Sequence, residues 1–256
     1  INVNGFLAES DGKVLAVANT LTVNMLKMVE FEDRSLLKTE FLIITHPLLR
    51  TDPVTGDDPV RTYAEYRSSA AGGNYRTLVM NIDEVFDRFH YGERSPQAIR
   101  NLIRLMTDYG RLQLVFLIGR SKDPQTVRFL KNGWKEDLIP NAGWPGSDMS
   151  LGMTSTENPF PMVGIGRLFV SSPHEVTAYL KKVTLMESEA NSAIWRKNVL
   201  HLSGGHSVAE REIFRSYTAA FADRITDSSV GLEVESKSKQ TEAEVEKVDI
   251  SGFVNQ

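Results

Sequence analysis

The sequence predicts an α/β protein built on a mostly parallel sheet with helices on both faces, and three observations carry that expectation. The stretch LQLVFLIGR at 112–120 has six apolar residues among its first seven and no Gly or Pro before Gly119, the pattern of a strand buried on both faces at the centre of a sheet. Ahead of it, SPQAIRNLIRLMTDYG at 95–110 reads as a helix. Ser95 is placed to cap it, Pro96 stands at the first helical position, and Ile99, Leu102, Ile103 and Met106 recur at helical spacing. The third observation is that strand-like and helix-like stretches alternate along the chain, which right-handed crossovers convert into a sheet covered on both sides.

Taken in order, residues 1–40 form a β-leaning N-terminal segment, within which VLAVANTLTVNML at 14–26 is expected to supply one or two strands. FLIIT at 41–45 is a short apolar strand ended by His46 and Pro47, because proline has no N–H to give a ladder. TDPVTGDDP at 51–59 is a loop of turn formers. A helix is expected from Pro59 through Tyr63 and Tyr66 to the stop at Gly72 and Gly73. RTLVMNI at 76–82 is the next strand and DEVFDRF at 83–89 a short helix.

After the strand at 112–120 the pattern dissolves. Residues 121–161 hold five Pro and four Gly, too many breakers for a long element, and a loop of this length inside a domain usually serves a function. Order returns with MVGIGRLFV at 162–170, a strand, and with a helix at 171–190 whose Ser172, Pro173 and Glu175 form a capping box. KNVLHLSGG at 197–205 is another strand, and Ser207 and Glu210 open its helix with the same device. The α/β subdomain is therefore read over 41–235, and residues 236–256 have the polar composition of a solvated connector or exposed helix.

Composition narrows the function classes. A formal charge of -4 over 256 residues argues against a nucleic-acid or anionic-membrane surface, and no apolar run approaches the roughly 20 residues needed to span a bilayer. The chain opens at Ile1 with neither Met nor a charged-then-apolar leader, so it is read as a mature piece or part of something larger. Cysteine is absent, which removes disulfides, thiolate metal sites and cysteine nucleophiles together.

In a parallel sheet ligands sit beyond the carboxyl ends of the strands, here Thr45 and His46, Gly119 and Arg120, and Gly204, Gly205, His206 and Ser207. The last four form LSGGHS, whose backbone N–H groups between strand and helix would hold a phosphate or carboxylate. The same glycines serve equally as a tight structural turn, and the motif is neither a lysine-containing P-loop nor a three-glycine dinucleotide fingerprint. His206 has no cysteine to activate and no G-x-S-x-G serine, so a capped helix start is the better reading. The other four histidines are scattered without metal spacing, and no cofactor is expected. Asp57, Asp58, Ser147 and Asp148 offer oxygens of the kind calcium takes, yet carboxylates in loops more often cap turns. Trp134 and Trp144 are read as pinning the long loop rather than forming a recognition surface.

The segments LIITHPLL, FDRFHYGERSPQAIRNLIR, LQLVFLIGR, PGSDMSLG, PFPMVGIGRLFVSSPHEVTAYLKKV and SAIWRKNVLHLSGG resemble, in the same order, the gingipain family of cysteine peptidases, which includes the sortase of the type IX secretion system. The resemblance covers about residues 40–256, and GERSPQAIR and GIGRLFV are its most specific parts. It implies a caspase-like, Rossmann-like three-layer sandwich made of two side-by-side subdomains, of which this chain resembles the first. The family's catalytic histidine, which follows a Gly, and its cysteine lie in the second, and VDISGFVNQ resembles the segment just before that histidine. His206 sits too early to be it, so no catalytic residue is expected in this chain. The resemblance further implies a second catalytic subdomain as partner, protein or peptide substrates, and an extracellular or cell-surface setting. Two other readings stay open: a free-standing module binding an anion at Gly204–Ser207, and a structural cell-envelope domain.

Overall fold

Four short runs of large apolar and β-branched residues pair side by side in parallel, as a strand-then-helix order requires. In the computed structural model, which describes residues 28–29, 36–143, 145–153, 160–189, 193–226, 231–243 and 246–254, these are β1 (Phe41–Thr45), β2 (Thr77–Asn81), β3 (Leu114–Ile118) and β4 (Gly164–Leu168). The order across the sheet is β2-β1-β3-β4, and Ile43 lies opposite Val79 on one side and Phe116 on the other.

Alternation along β1 divides the core in two. Leu42 and Ile44 point to α2 (Ile82–His90) and α3 (Pro96–Asp108), where they meet Val85, Phe86, Ile99 and Leu102. Phe41 and Ile43 point the other way, to α1 (Pro59–Ser68) and α5 (Pro173–Ser188), and join Tyr63, Val60 and Val176. Full burial of one such side chain is worth about 1.5–3 kcal/mol. Helices on both faces make this a three-layer α/β sandwich, as the sequence predicts. The helices start where the sequence places them: Asp58 and Ser95 cap α1 and α3, and each helix opens on proline.

Four local features differ from or refine the sequence reading. The middle of the sheet is shared: all five residues of β1 are buried, while β3 has two partly exposed positions. β1 gains its burial by lying between two strands and between both helical layers. The irregular stretch 121–161 contains one short helix, α4 (Pro124–Phe129), started by Asp123 and Pro124. The strands read over 14–26 fall outside the described residues, as does Trp144. Finally, the polar segment read as a connector from 236 is entered by a strand, β6 (Glu233–Ser238). Leu232 and Val234 alternate with Glu233, Glu235 and Lys237 there, a period of two hidden by polar composition.

β6 pairs in parallel with β5 (Asn198–Ser203), and among the described residues this pair forms a sheet of its own. The connecting helix α6 (Val208–Thr226) touches the end of β6 through arginines. Arg211 donates to the Thr241 carbonyl at 3.1 Å and Arg215 to that of Lys239 at 3.0 Å. Ile213, Phe214, Tyr217 and Phe221 on the same helix are exposed.

Candidate functional site

The carboxyl ends of β1 and β3 are built by residues that each complete a backbone requirement. The Thr45 hydroxyl, fully buried, donates to the Ile118 carbonyl at 3.2 Å and so ties the two strand ends. His46 accepts the Leu48 N–H on Nδ1 at 3.2 Å, as a cap for the short turn that follows. Burial pushes its imidazole below the usual range, with Arg94 adding to the effect and the Asp83 carboxylate opposing it. After β3 the chain passes through Gly119, whose φ is 149° and where a Cβ would lie 3.2 Å from Ile139. Only glycine lets the loop pack this close.

Two arginines hold that loop against the sheet. Arg167 on β4 makes a two-pronged pair with Asp148 and donates its remaining edge to the Gly119 and Ile139 carbonyls. Arg94, between α2 and α3, donates to the Asp137 carbonyl at 2.9 Å. Its guanidinium carbon also lies 5.2 Å from the centre of the Phe86 ring and 5.5 Å from that of Trp134. Trp134 thus stays half exposed while its ring is pinned by the arginine. Among the described residues of this loop, the Trp134, Asp137 and Ile139 carbonyls, which have no ladder partners, accept from these guanidinium donors.

Between this loop and α4 lies a cavity of about 480 Å³, lined by Arg94, Lys122, Arg128, Asp137 and Asn141 with prolines between them. Asp137 is buried, and its Oδ1 accepts the Lys122 N–H at 2.9 Å. Desolvation holds its carboxyl above the usual range, with that hydrogen bond and the nearby Arg94 and Arg167 opposing. The Lys122 ammonium pairs with Glu136 at 3.0 Å. Arg120, flagged at the strand end, turns aside and donates to the Glu136 carbonyl at 2.9 Å.

The LSGGHS turn stands apart from the cavity, on the β5–β6 pair. Gly205 has a φ of 129°, and a Cβ there would lie 2.8 Å from the Arg211 nitrogen, so the glycine serves the turn. The Ser207 hydroxyl caps the Glu210 N–H at 3.2 Å, and the Glu210 carboxylate takes the His206 N–H at 2.8 Å. A carboxylate of the chain itself therefore occupies one of the donors that an anion would use. Gly204, His206 and Ser207 are not among the residues lining the cavity. Of the loop oxygens, Asp58 caps α1 and Asp148 serves Arg167. No group of three or more His, Cys, Asp or Glu is placed to hold a metal among the described residues, and among them no helix is long and apolar enough to cross a membrane.

Sequence reasoning singled out strand ends and missed Arg94, Arg167 and Asp137. A signal existed for two of them, since Arg94 and Arg167 lie in GERSPQAIR and GIGRLFV, and a lone cation inside an otherwise apolar strand asks for a partner. A family model described as Peptidase family C25 matches residues 34–255. No curated protein and no solved structure matches the chain.

Proposed function

The chain belongs to peptidase family C25, the gingipain family, and from that premise we propose that it is the non-catalytic part of a gingipain-like cysteine endopeptidase module. The observation that carries the reading is the absence of any cysteine among 256 residues of a chain that the family model matches almost throughout. A thiolate attacking a peptide carbonyl, assisted by histidine, must then come from outside residues 1–256, in the second, caspase-like subdomain to which the family resemblance points. The part supplied here is the four-stranded sheet and the clamped loop, a rigid body against which a catalytic half and a protein or peptide substrate are positioned. An extracellular or cell-surface setting, with the type IX secretion system as one route, belongs to the same reading and is supported by the family alone.

The test is direct. The purified chain, incubated with mixed fluorogenic peptides and thiol reductant, is expected to show no turnover. Turnover that survives repurification and is abolished by His206→Ala would overturn the reading.

A further inference from the structure

We infer that the cavity between α4 and the clamped loop binds a carboxylate carried on a short aliphatic stem, as on an acidic peptide.

Charge carries the inference first. Arg94, Lys122 and Arg128 line the cavity against a single acid, Asp137, in a chain whose formal charge is -4. A cation-lined hollow in an acidic protein concentrates anions and turns away lysine and arginine side chains. Two of the three cations are partly committed. Lys122 shares Glu136, and Arg94 gives N–H groups to the Trp134 and Asp137 carbonyls, its nearest carboxylate oxygen being on the exposed Asp83 at 3.9 Å. Arg128 is exposed, and its side chain makes no hydrogen bond or ion pair among the described residues. A guanidinium at the rim of a cavity, with its planar fork unspent, is matched by a carboxylate.

The walls decide what carries that carboxylate. Pro96, Pro124, Val127 and Pro140 supply apolar surface beneath the cations, so the site offers van der Waals contact to a methylene stem and charge to its tip. At about 480 Å³ the cavity takes a side chain and its neighbours rather than a bare ion. The N–H groups at the start of α4 are not part of the site, because Asp123 already accepts those of Gln125 and Thr126.

Two sources can supply the carboxylate, a glutamate side chain and a peptide's free C-terminus, and labelled pentapeptides separate them. Binding to the full chain is followed by fluorescence anisotropy with four probes: Ala-Ala-Glu-Ala-Ala amide, its Gln counterpart, penta-alanine with a free terminus, and penta-alanine amide. At least one acidic probe is expected to bind about tenfold more tightly than its neutral counterpart, and whichever does names the source. Arg128→Gln and Lys122→Gln should each weaken that probe about tenfold with an unchanged circular dichroism spectrum, and added salt should weaken it further. Equal binding of acidic and neutral probes, no saturable binding, or full affinity in Arg128→Gln would overturn the inference. The readout involves no cleavage, so it stands or falls separately from the peptidase reading.

Discussion

Arg167 and Asp148 meet in a two-pronged ion pair, Nε to Oδ2 and Nη2 to Oδ1, each at 2.7 Å. Arg167 is 7% exposed, and its other donations, to Gly119 at 2.8 Å and Ile139 at 2.9 Å, make one side chain the meeting point of β4, the end of β3 and the loop. Arg167→Lys keeps the charge and loses the fork, leaving carbonyls and a carboxylate without donors. The expected cost is about 2–3 kcal/mol, read as a lower denaturant midpoint together with new proteolytic cleavage between residues 139 and 148. A variant that melts with the wild type and resists protease would show that the loop is held by something else.

Tyr63 projects from α1 onto the sheet in contact with Phe116, ring centroids 5.2 Å apart, and its hydroxyl accepts the Arg67 Nε–H at 2.9 Å. Burial pushes the phenol up to about 12, against the pull of Arg67. A raised phenol favours the neutral form in the folded state, so its contribution is complete below about pH 10 and is lost as pH rises toward 12. Ultraviolet titration should show a last-ionising phenolate that Tyr63→Phe removes, at a cost of about 1 kcal/mol for the lost hydrogen bond. If all tyrosines ionise together near 10, the burial argument is wrong.

His46 works in the opposite direction. Its folded-state value lies below the ordinary 6.5 because of burial first, so the neutral ring is favoured and its stabilising contribution is complete above pH 6.5 and lost as pH falls. Protonating Nδ1 would also take away the acceptor for the Leu48 N–H. An NMR titration of the imidazole should give a midpoint below 6.5, and Asp83→Asn should lower it further by removing an attractive carboxylate. A midpoint at or above 6.5 would contradict this.

Ile213, Phe214, Tyr217 and Phe221 give α6 an exposed apolar stripe at helical spacing. The chain is expected to bind a hydrophobic dye there. Phe214→Ser with Phe221→Ser should remove most of the dye signal while moving stability by no more than about 0.5 kcal/mol per site. Dye fluorescence that is absent at the start, or unchanged by the double substitution, would place the apolar surface elsewhere or show the stripe to be covered.

Much of the sheet was legible because local signals and burial agree: Ser95 with Pro96, Asp58 with Pro59, and the apolar runs around Ile43 and Leu117 say the same thing at short and long range. β6 was not, since Glu233, Glu235 and Lys237 give it the look of a connector and its pairing with β5 is a long-range fact. The site was legible only in outline. Strand ends could be listed, but nothing local says that Arg94 reaches 43 residues ahead to the Asp137 carbonyl, or Arg167 back 48 residues to that of Gly119. Such contacts depend on which strands become neighbours, and a single sequence holds that information only in the residue types left without a local partner.

The two anchors on the loop also bear on how this protein can change. Ile139 and Asp148 are gripped by one guanidinium, and between them the chain turns back, the Ser147 N–H donating to the Ala142 carbonyl at 2.7 Å. Part of that turn, Pro140 to Gly143, faces the cavity. Lengthening or rewriting these few residues leaves both anchor points and the sheet untouched, and loop closure makes extra length cheap. Ligand preference at this face can therefore drift among relatives as a local edit, inherited separately from the fold that displays it.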